Sequence, residues 1–465
     1  MPGTYGDERR YVLDVVLRDW LGIDYAVRLT GDQGRVVLRA ADDAQQRRLS
    51  MPDVFFATAQ HDWFTARSLP STPFRWWPTD RGELLRATTM PLQERPLPIL
   101  FGAPTQSGSR GHQDREAMHL EIDVFGSVFF LVTRYEEVVT RTRDNHGRFP
   151  ASASATAQFV ERPIADEYVA ILSSAVEYLW PNIGRRETSF RLWLTHDVDE
   201  PWATVGRRLP TIAHAVAGDL LKRRDPVLAV RRTRSTLSGR SGRVERDPFN
   251  SFDFLMNTSE RHGLKSAFFF MSGAPGGIDG TYRISDRPIR SLIRSVHTRG
   301  HEVGLHATYG SYCSAAILRA EFDALRNACD DLGFAQPEWG VRQHFLRLDI
   351  TETWASQESA GLDYDTSLGF ADRIGFRAGT CREFQVFDLL RRRRVELRER
   401  PLLVMDASLF GYMGLGAEAA AARTRHVVQQ CRRFQGQAVV LFHNSSLPTP
   451  RLRAQYAELV AELAH

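Results

Sequence analysis

From about residue 188 onward, short apolar runs alternate with amphipathic segments. RLWLTH precedes a helix-type pattern around FNSFDFLMNTSERHG, and KSAFFFM precedes RPIRSLIRSVHTRG. HEVGLHA, PEWGVR, LDYDTSL, RPLLVMDASL and QAVVLFHN continue the series, with helix-type segments between most of them. Seven strand candidates in such alternation predict a parallel sheet with helices on its faces. Closure of that sheet into a barrel would remove its exposed edges.

The first 187 residues have a different pattern, in which short strand-type and helix-type pieces are mixed. HLEIDVFGSVFFLVTRYEEVV is an apolar run that leads into an amphipathic segment, and ERPIADEYVAILSSAVEYLW has the spacing of one helix. PNIGRRETS interrupts that helix and marks a predicted domain boundary. We therefore expect an N-terminal α+β domain over 1–187 and an α/β barrel over 188–465, with a basic insertion at 206–246.

The composition is that of a globular protein and excludes several classes. Hydrophobic residues make up 43% of the 465 positions and charged residues 25%. The net charge of +4 is too small to indicate nucleic-acid binding, and no motif for it is present. No apolar run reaches membrane-spanning length, and the charged start MPGTYGDERR lacks the pattern of a secretory signal. The four cysteines form no CxxC pair, so we expect reduced thiols and a cytoplasmic protein.

Reactive side chains recur where the apolar runs end. THDVD ends the first strand candidate, EVGLH the third, VRQH the fourth, VMD the sixth and LFHN the last. In barrels of this type the loops at the carboxyl ends of the strands carry the chemistry. A charged group at such a position must be paired, bind a metal or face a cleft. A lone histidine at a strand end is more often structural, but the repetition favours one common site.

The order THDVD, GHEVGLHATY, VRQHF, DYDTSLG and VVLFHN resembles the motif series of the polysaccharide deacetylases, carbohydrate esterase family 4 with the NodB-homology domain. The resemblance covers about residues 188–450 and implies a distorted (β/α)7 barrel. It also implies a divalent metal, usually zinc, and removal of N- or O-acetyl groups from sugars. The part before it is similar to the uncharacterised region that precedes such domains in a subgroup from bacterial surface-polysaccharide gene clusters.

The resemblance assigns the metal ligands and the general base. Asp197 matches the base and Asp199 a ligand, and two residues apart on a strand their side chains share one face. An acidic turn that caps the next helix is the other interpretation of DVDEP. His306 matches the first histidine of the metal motif, but the second would fall at Gly310. Since catalytic zinc usually has three protein ligands, His344 is the candidate for the third.

The remaining candidate residues follow from the other motifs. Arg342 matches the arginine that holds the catalytic carboxylate, and His443 matches the general acid, with a structural histidine as the alternative. Asp365 in DYDTS is expected to orient His443. Backbone N–H groups near Phe345 are candidate donors to the oxyanion. Asp406 has no motif match and is a candidate substrate contact.

The insertion at 206–246 is rich in arginine and has few acidic residues. One interpretation is a solvated pair of basic helices. The other is a clamp, with Arg231 and Arg232, for the phosphates of a nucleotide-linked or lipid-pyrophosphate-linked sugar.

Three functions stay open at this point. The first is metal-dependent hydrolytic deacetylation of a saccharide in capsule, O-antigen or exopolysaccharide metabolism. The second is a related hydrolase that cleaves a C–N bond outside sugars. The third is a catalytically silent protein of the same fold that binds glycan or serves as a scaffold. Its best support is Gly310, together with the large N-terminal domain.

Overall fold

The computed structural model describes most of the chain. The described residues are 1, 3–30, 34–77, 96–103, 117–184, 186–204, 209–221, 226–239 and 244–465. Among them, no helix combines the length and the apolar character that crossing a membrane requires.

Short strands and helices share an apolar core in the N-terminal part. The elements are α1 (Gly6–Leu13), a π-helix (Asp14–Trp20), β1 (Arg35–Leu38), β2 (Arg48–Pro52), β3 (Arg75–Trp77), β4 (Leu97–Ile99), β5 (Ala117–His119), α2 (Val124–Val132), α3 (Glu136–Val139) and α4 (Ile164–Leu179). Strands β1, β2 and β5 form one small sheet, and β3 pairs with β4. Every residue of α2 is buried, which explains its almost wholly apolar sequence VFGSVFFLV.

The second part is one large sheet with helices packed against it. Its elements are β6 (Arg191–Val198), α5 (Leu209–Leu221), α6 (Pro226–Gly239), α7 (Phe252–Arg261), β7 (Ser266–Phe270), α8 (Arg287–Thr298), β8 (Glu302–Ala307), α9 (Ala315–Asp330), β9 (Gly340–Gln343), α10 (Thr353–Ala360), β10 (Tyr364–Asp365), β11 (Phe384–Asp388), β12 (Arg393–Glu399), β13 (Leu402–Met405), a π-helix (Ala407–Tyr412), α11 (Ala417–Arg433), β14 (Gln437–Leu441) and α12 (Pro450–Ala464).

The sheet is curled into a half-barrel of nine strands in the order β11-β12-β10-β9-β8-β7-β6-β14-β13. The seven strands expected from the sequence are adjacent in it and pair in parallel. The mixed α/β class is therefore confirmed. The more specific NodB-type seven-stranded barrel and the domain boundary at residue 187 stay predictions.

The hairpin of β11 and β12 is the part of the sheet that the sequence analysis missed. Four arginines at 391–394 span the end of its turn and the start of β12. A charged run of this kind is typical of a solvated loop. In the structure Arg392 pairs with Glu8 and Arg394 with Asp14, both in the N-terminal part. Tyr11 of α1 also donates its hydroxyl hydrogen to the carbonyl of Gln385 in β11. The N-terminal part thus covers the edge of the sheet that β11 would otherwise expose.

Candidate metal centre and catalytic groups

Three potential metal ligands meet at the carboxyl end of the large sheet. Asp199 directly follows β6, His306 lies in β8 and His344 directly follows β9. One ligand atom from each lies within 4.8 Å of the others. The Nε2 atom of His306 is 2.9 Å from Asp199 Oδ1, and Nε2 of His344 is 3.9 Å from Asp199 Oδ2. The curl of the sheet brings these strand ends together, and the expected ligand set is assembled without residue 310.

The two imidazoles are held so that each directs Nε2 toward Asp199. His306 donates from Nδ1 to the backbone carbonyl of Arg342 at 2.9 Å. His344 donates from Nδ1 to the carboxylate of Asp279 at 2.8 Å. A hydrogen bond at Nδ1 fixes the tautomer and ring orientation in metal sites, and it leaves Nε2 free as a ligand.

Unpartnered atoms at this point provide a test of whether a metal would fit. Asp199 Oδ1 and His306 Nε2 are both buried and lie 2.9 Å apart, and neither has a hydrogen-bond partner in any other described residue. Buried polar atoms without a partner are rare in native proteins, and an absent ion is one of the ordinary explanations. One carboxylate and two imidazoles form a donor set suited to a catalytic divalent metal. These residues therefore fit such an ion.

Asp279 is a site residue that the sequence analysis missed. It lies in the loop GAPGGIDGTY after β7 and accepts hydrogen bonds from His344 and from the backbone N–H of Tyr309, both at 2.8 Å. Burial raises the pKa of Asp279, but these hydrogen bonds outweigh burial and lower it overall. The one signal in the sequence was its position after a strand, which many other polar residues share.

Arg342 and Asp197 form a buried ion pair next to the three ligands, as the resemblance led us to expect. Arg342 Nη1 is 3.2 Å from Asp197 Oδ1 and also donates to the hydroxyl of Thr195. Asp197 Oδ2 is 3.9 Å from His306 Nε2. Arg342 has no exposed surface, and 2% of Asp197 is exposed. The ion pair fixes the direction of the Asp197 carboxylate beside the metal position.

His443 follows β14 and faces Asp199 from the other side. Its Nε2 atom is 3.5 Å from Asp199 Oδ2, while Nδ1 donates to Asp406 Oδ1 at 2.7 Å. Burial would lower the pKa of His443, but Asp406 and then Asp199 and Asp197 raise it to about 10 in the metal-free protein. The imidazole is therefore protonated at neutral pH in that state.

Asp406, rather than Asp365, orients His443, so two expectations are wrong. Asp406 was expected to contact substrate, but it is 1% exposed and binds both Nδ1 and the backbone N–H of His443. Asp365 instead accepts hydrogen bonds from Gln357 of α10 and from Ser367. The reason is strand alternation: in β10 the preceding Tyr364 packs against β7 inside the sheet, so the side chain of Asp365 faces the opposite way.

Arg232 is also wrong as a phosphate-clamp residue. The insertion contains the helices α5 and α6, and Arg232 Nε binds Asp219 Oδ2 at 2.8 Å, with both side chains buried. Its charge is already neutralised, so it cannot bind a ligand phosphate. The partly buried Arg231 donates to the carbonyl of Pro448 in the loop after β14. Phe345 is half-buried, and its ring centre is 4.7 Å from that of His344.

Comparisons with known proteins add little to this geometry. Residues 2–181 match a family described only as a family of unknown function, DUF7033. No curated protein matches the sequence. A solved structure described as "Crystal structure of putative polysaccharide deacetylase from Mycobacterium smegmatis" is 16% identical, with a TM-score of 0.39 over 60% of this chain and 85% of that chain. A likeness this weak assigns no role to any residue.

Proposed function

We propose that this protein is a metal-dependent hydrolase that removes an acetyl group from an N- or O-acetylated sugar. The observation that carries the proposal is the convergence of three metal ligands, a fixed carboxylate and a carboxylate-bound histidine. The sugar substrate and the NodB-type barrel come from the motif resemblance. The place in bacterial surface-polysaccharide metabolism also comes from the motif resemblance, and the protein would act in the cytoplasm. The division into an N-terminal domain and a catalytic domain is part of the same proposal.

Asp199, His306 and His344 would hold the metal, and zinc suits a set of one carboxylate and two imidazoles. When bound, the metal supplies a Lewis acid for the acetyl carbonyl and lowers the pKa of a water molecule at its open position. Asp279 and the carbonyl of Arg342 hold the two imidazoles in direction.

Asp197 is the group placed to accept the proton of the attacking water. Arg342 holds one of its oxygens at 3.2 Å and leaves the other facing the ligand cluster. The water oxygen then forms a bond to the acetyl carbon. The bond between that carbon and the nitrogen or oxygen atom of the sugar breaks. His443 Nε2 donates the proton that the leaving nitrogen or oxygen needs, while Asp406 holds the ring through Nδ1.

The silent glycan-binding alternative loses its main support with this geometry. It depended on Gly310 leaving the metal with only two ligands, whereas His344 completes a set of three. No described contact favours a C–N substrate outside sugars over an acetylated sugar.

Acetate release from a panel of N- and O-acetylated sugars, free and nucleotide-linked, tests the proposal. We expect the purified chain to contain stoichiometric metal and to release acetate from at least one member. Asp197→Asn should retain the metal and lose roughly 10²–10⁴-fold in rate, the typical contribution of a general base. Absence of metal, or acetate release that is unchanged in Asp197→Asn, would refute the proposal.

A further inference from the structure

We propose that Arg148, from the N-terminal part of the chain, is a positioning residue for the metal centre. It fixes the turn that carries His344, so the region before the large sheet helps to build the site. The inference rests on the proposed function for the role of His344 as a ligand, while its geometric basis is independent of any metal.

Arg148 joins three segments through one guanidinium group. Nε donates to Asp144 Oδ2 at 2.7 Å within its own loop. Nη1 donates to the carbonyl of Phe345 at 3.0 Å, directly after His344. Nη2 donates to the hydroxyl of Tyr412 at 2.9 Å, at the end of the π-helix that follows Asp406. Only 5% of Arg148 is exposed, so these contacts are largely shielded from water.

The turn after β9 needs such support because its backbone is strained. Phe345 has φ of 62° and Leu346 has φ of 54°, so two successive residues that are not glycine adopt the left-handed region. This conformation is unfavourable for residues with a Cβ and persists only where the surroundings fix it. The hydrogen bond from Arg148 to Phe345 holds the first of these residues, next to the ligand His344.

A second set of hydrogen bonds links the same loop to the turn, through Arg347. Arg347 donates to the carbonyl of His146 at 2.9 Å and to the carbonyl of Tyr309 at 2.6 Å. The N–H of Tyr309 binds Asp279, which in turn holds His344. The loop around Arg148 is thus linked to the ligand both through the turn and through its carboxylate partner.

If Arg148 only held the two parts of the chain together, it would be one of several contacts with that role. Arg377 is a matched example, since it is a buried arginine whose guanidinium binds Glu137 at 2.6 Å across the same junction. Arg377 contacts Glu137, Gly369 and Phe370, which lie outside the turn after β9. The two arginines therefore separate adhesion from positioning.

The first experiment measures zinc affinity of the full chain by competition with a chromophoric chelator. Arg148→Lys keeps a cation near Asp144 but lacks the planar fork that reaches three acceptors. We expect Arg148→Lys and Arg148→Ala to weaken zinc binding by about 10–100-fold, the usual loss for partners of metal ligands. Arg377→Lys should lower thermal stability and leave zinc affinity within about 2-fold, below that range. Equal zinc affinity in Arg148→Lys and wild type would overturn the proposal.

The second experiment needs neither metal nor substrate. Hydrogen–deuterium exchange of the metal-free full chain should show faster exchange at residues 344–347 in Arg148→Lys and unchanged exchange there in Arg377→Lys. If wild type binds no zinc but this pattern appears, the proposed function fails and the positioning role stands. If exchange at 344–347 is the same in all three proteins, the positioning role is wrong whatever the metal result.

Discussion

Two aspartates at the carboxyl ends of strands are both buried, but their partners and the directions of their pKa shifts differ. Asp406 after β13 is 1% exposed and Asp365 at the end of β10 is fully buried. Burial raises the pKa of each, but the imidazolium of His443 outweighs it at Asp406 and lowers the pKa overall. At Asp365 no partner outweighs burial, and the pKa stays raised. Burial alone therefore does not decide whether a carboxyl group is ionised.

Burial raises the pKa of Asp365, and a second buried carboxyl lies beside it. Glu399 is its register partner on the adjacent parallel strand β12, and burial and then Asp365 raise the pKa of Glu399 well above the usual value. Asp365 Oδ2 and Glu399 Oε1 are both buried without a hydrogen-bond partner among the described residues. Adjacent buried carboxyls disfavour the ionisation of both, so we expect this pair to share one proton. This pair belongs to the packing of the sheet against α10, whereas Asp406 binds His443, the proposed general acid.

The largest expected effect is on kcat, which should differ between variants at the two aspartates. Asp406→Asn should lower kcat by roughly 10²–10⁴-fold, because His443 loses the charge that stabilises its protonated ring and fixes its direction. Asp365→Asn keeps an acceptor for Ser367 and gains a donor toward Glu399, so kcat should stay within about 3-fold, a change of under 1 kcal/mol. Acetate-release kinetics measure both, with zinc content and circular dichroism as checks on folding. Equal losses in the two variants would contradict the roles assigned here.

That contrast also shows what the sequence could and could not predict. Strand ends are marked by apolar runs, and alternation places Asp197 and Asp199 on one face. These patterns made the two residues candidates, and the motif resemblance supplied their roles. The choice between Asp365 and Asp406 depends on which strand lies beside β14, which is a property of the whole sheet. The β11–β12 hairpin was missed because Arg392 and Arg394 find their carboxylates more than 370 positions away. Asp279 was missed since a loop residue has no periodicity.

A second contrast concerns two histidines, and its expected effect is smaller. His443 is surrounded by carboxylates, whereas the ring of His196 lies 6.4 Å from that of Tyr456 in α12, and its Nδ1 donates to the carbonyl of Phe442 at 2.7 Å. Burial lowers the pKa of His196 to about 4. The native state thus keeps the ring neutral, while the unfolded chain takes up a proton below pH 6.5. Stability should therefore fall by about 3 kcal/mol from this residue as the pH falls from 7 to 4.

The variant His196→Gln isolates this contribution. Glutamine can still donate to the carbonyl of Phe442 but does not titrate. The free energy of unfolding of the variant should therefore fall by about 3 kcal/mol less than that of wild type between pH 7 and pH 4. Denaturant unfolding at pH 7, 5.5 and 4 measures the difference. The exposed His61, changed to glutamine, is the control and should follow wild type. A His196→Gln protein with the acid sensitivity of wild type would mean that the buried ring is already protonated in the native state.

The smallest effect tests the shared proton of the structural pair. Because the pKa of Glu399 is raised in the folded state, its stabilising contribution is complete below the unfolded pKa and is lost as the pH rises toward the folded value. Glu399→Gln mimics the protonated acid at every pH, since its amide can donate to Asp365 while its carbonyl accepts from the indole of Trp354. The variant should match wild type near pH 4, below the unfolded pKa, and exceed its free energy of unfolding at pH 8 by about 1 kcal/mol. Glu396→Gln, at an exposed position of the same strand, should show no such trend. A Glu399→Gln protein that is less stable than wild type at pH 8 would mean that Glu399 is ionised, and the distinction between the two aspartates would then lie in geometry alone.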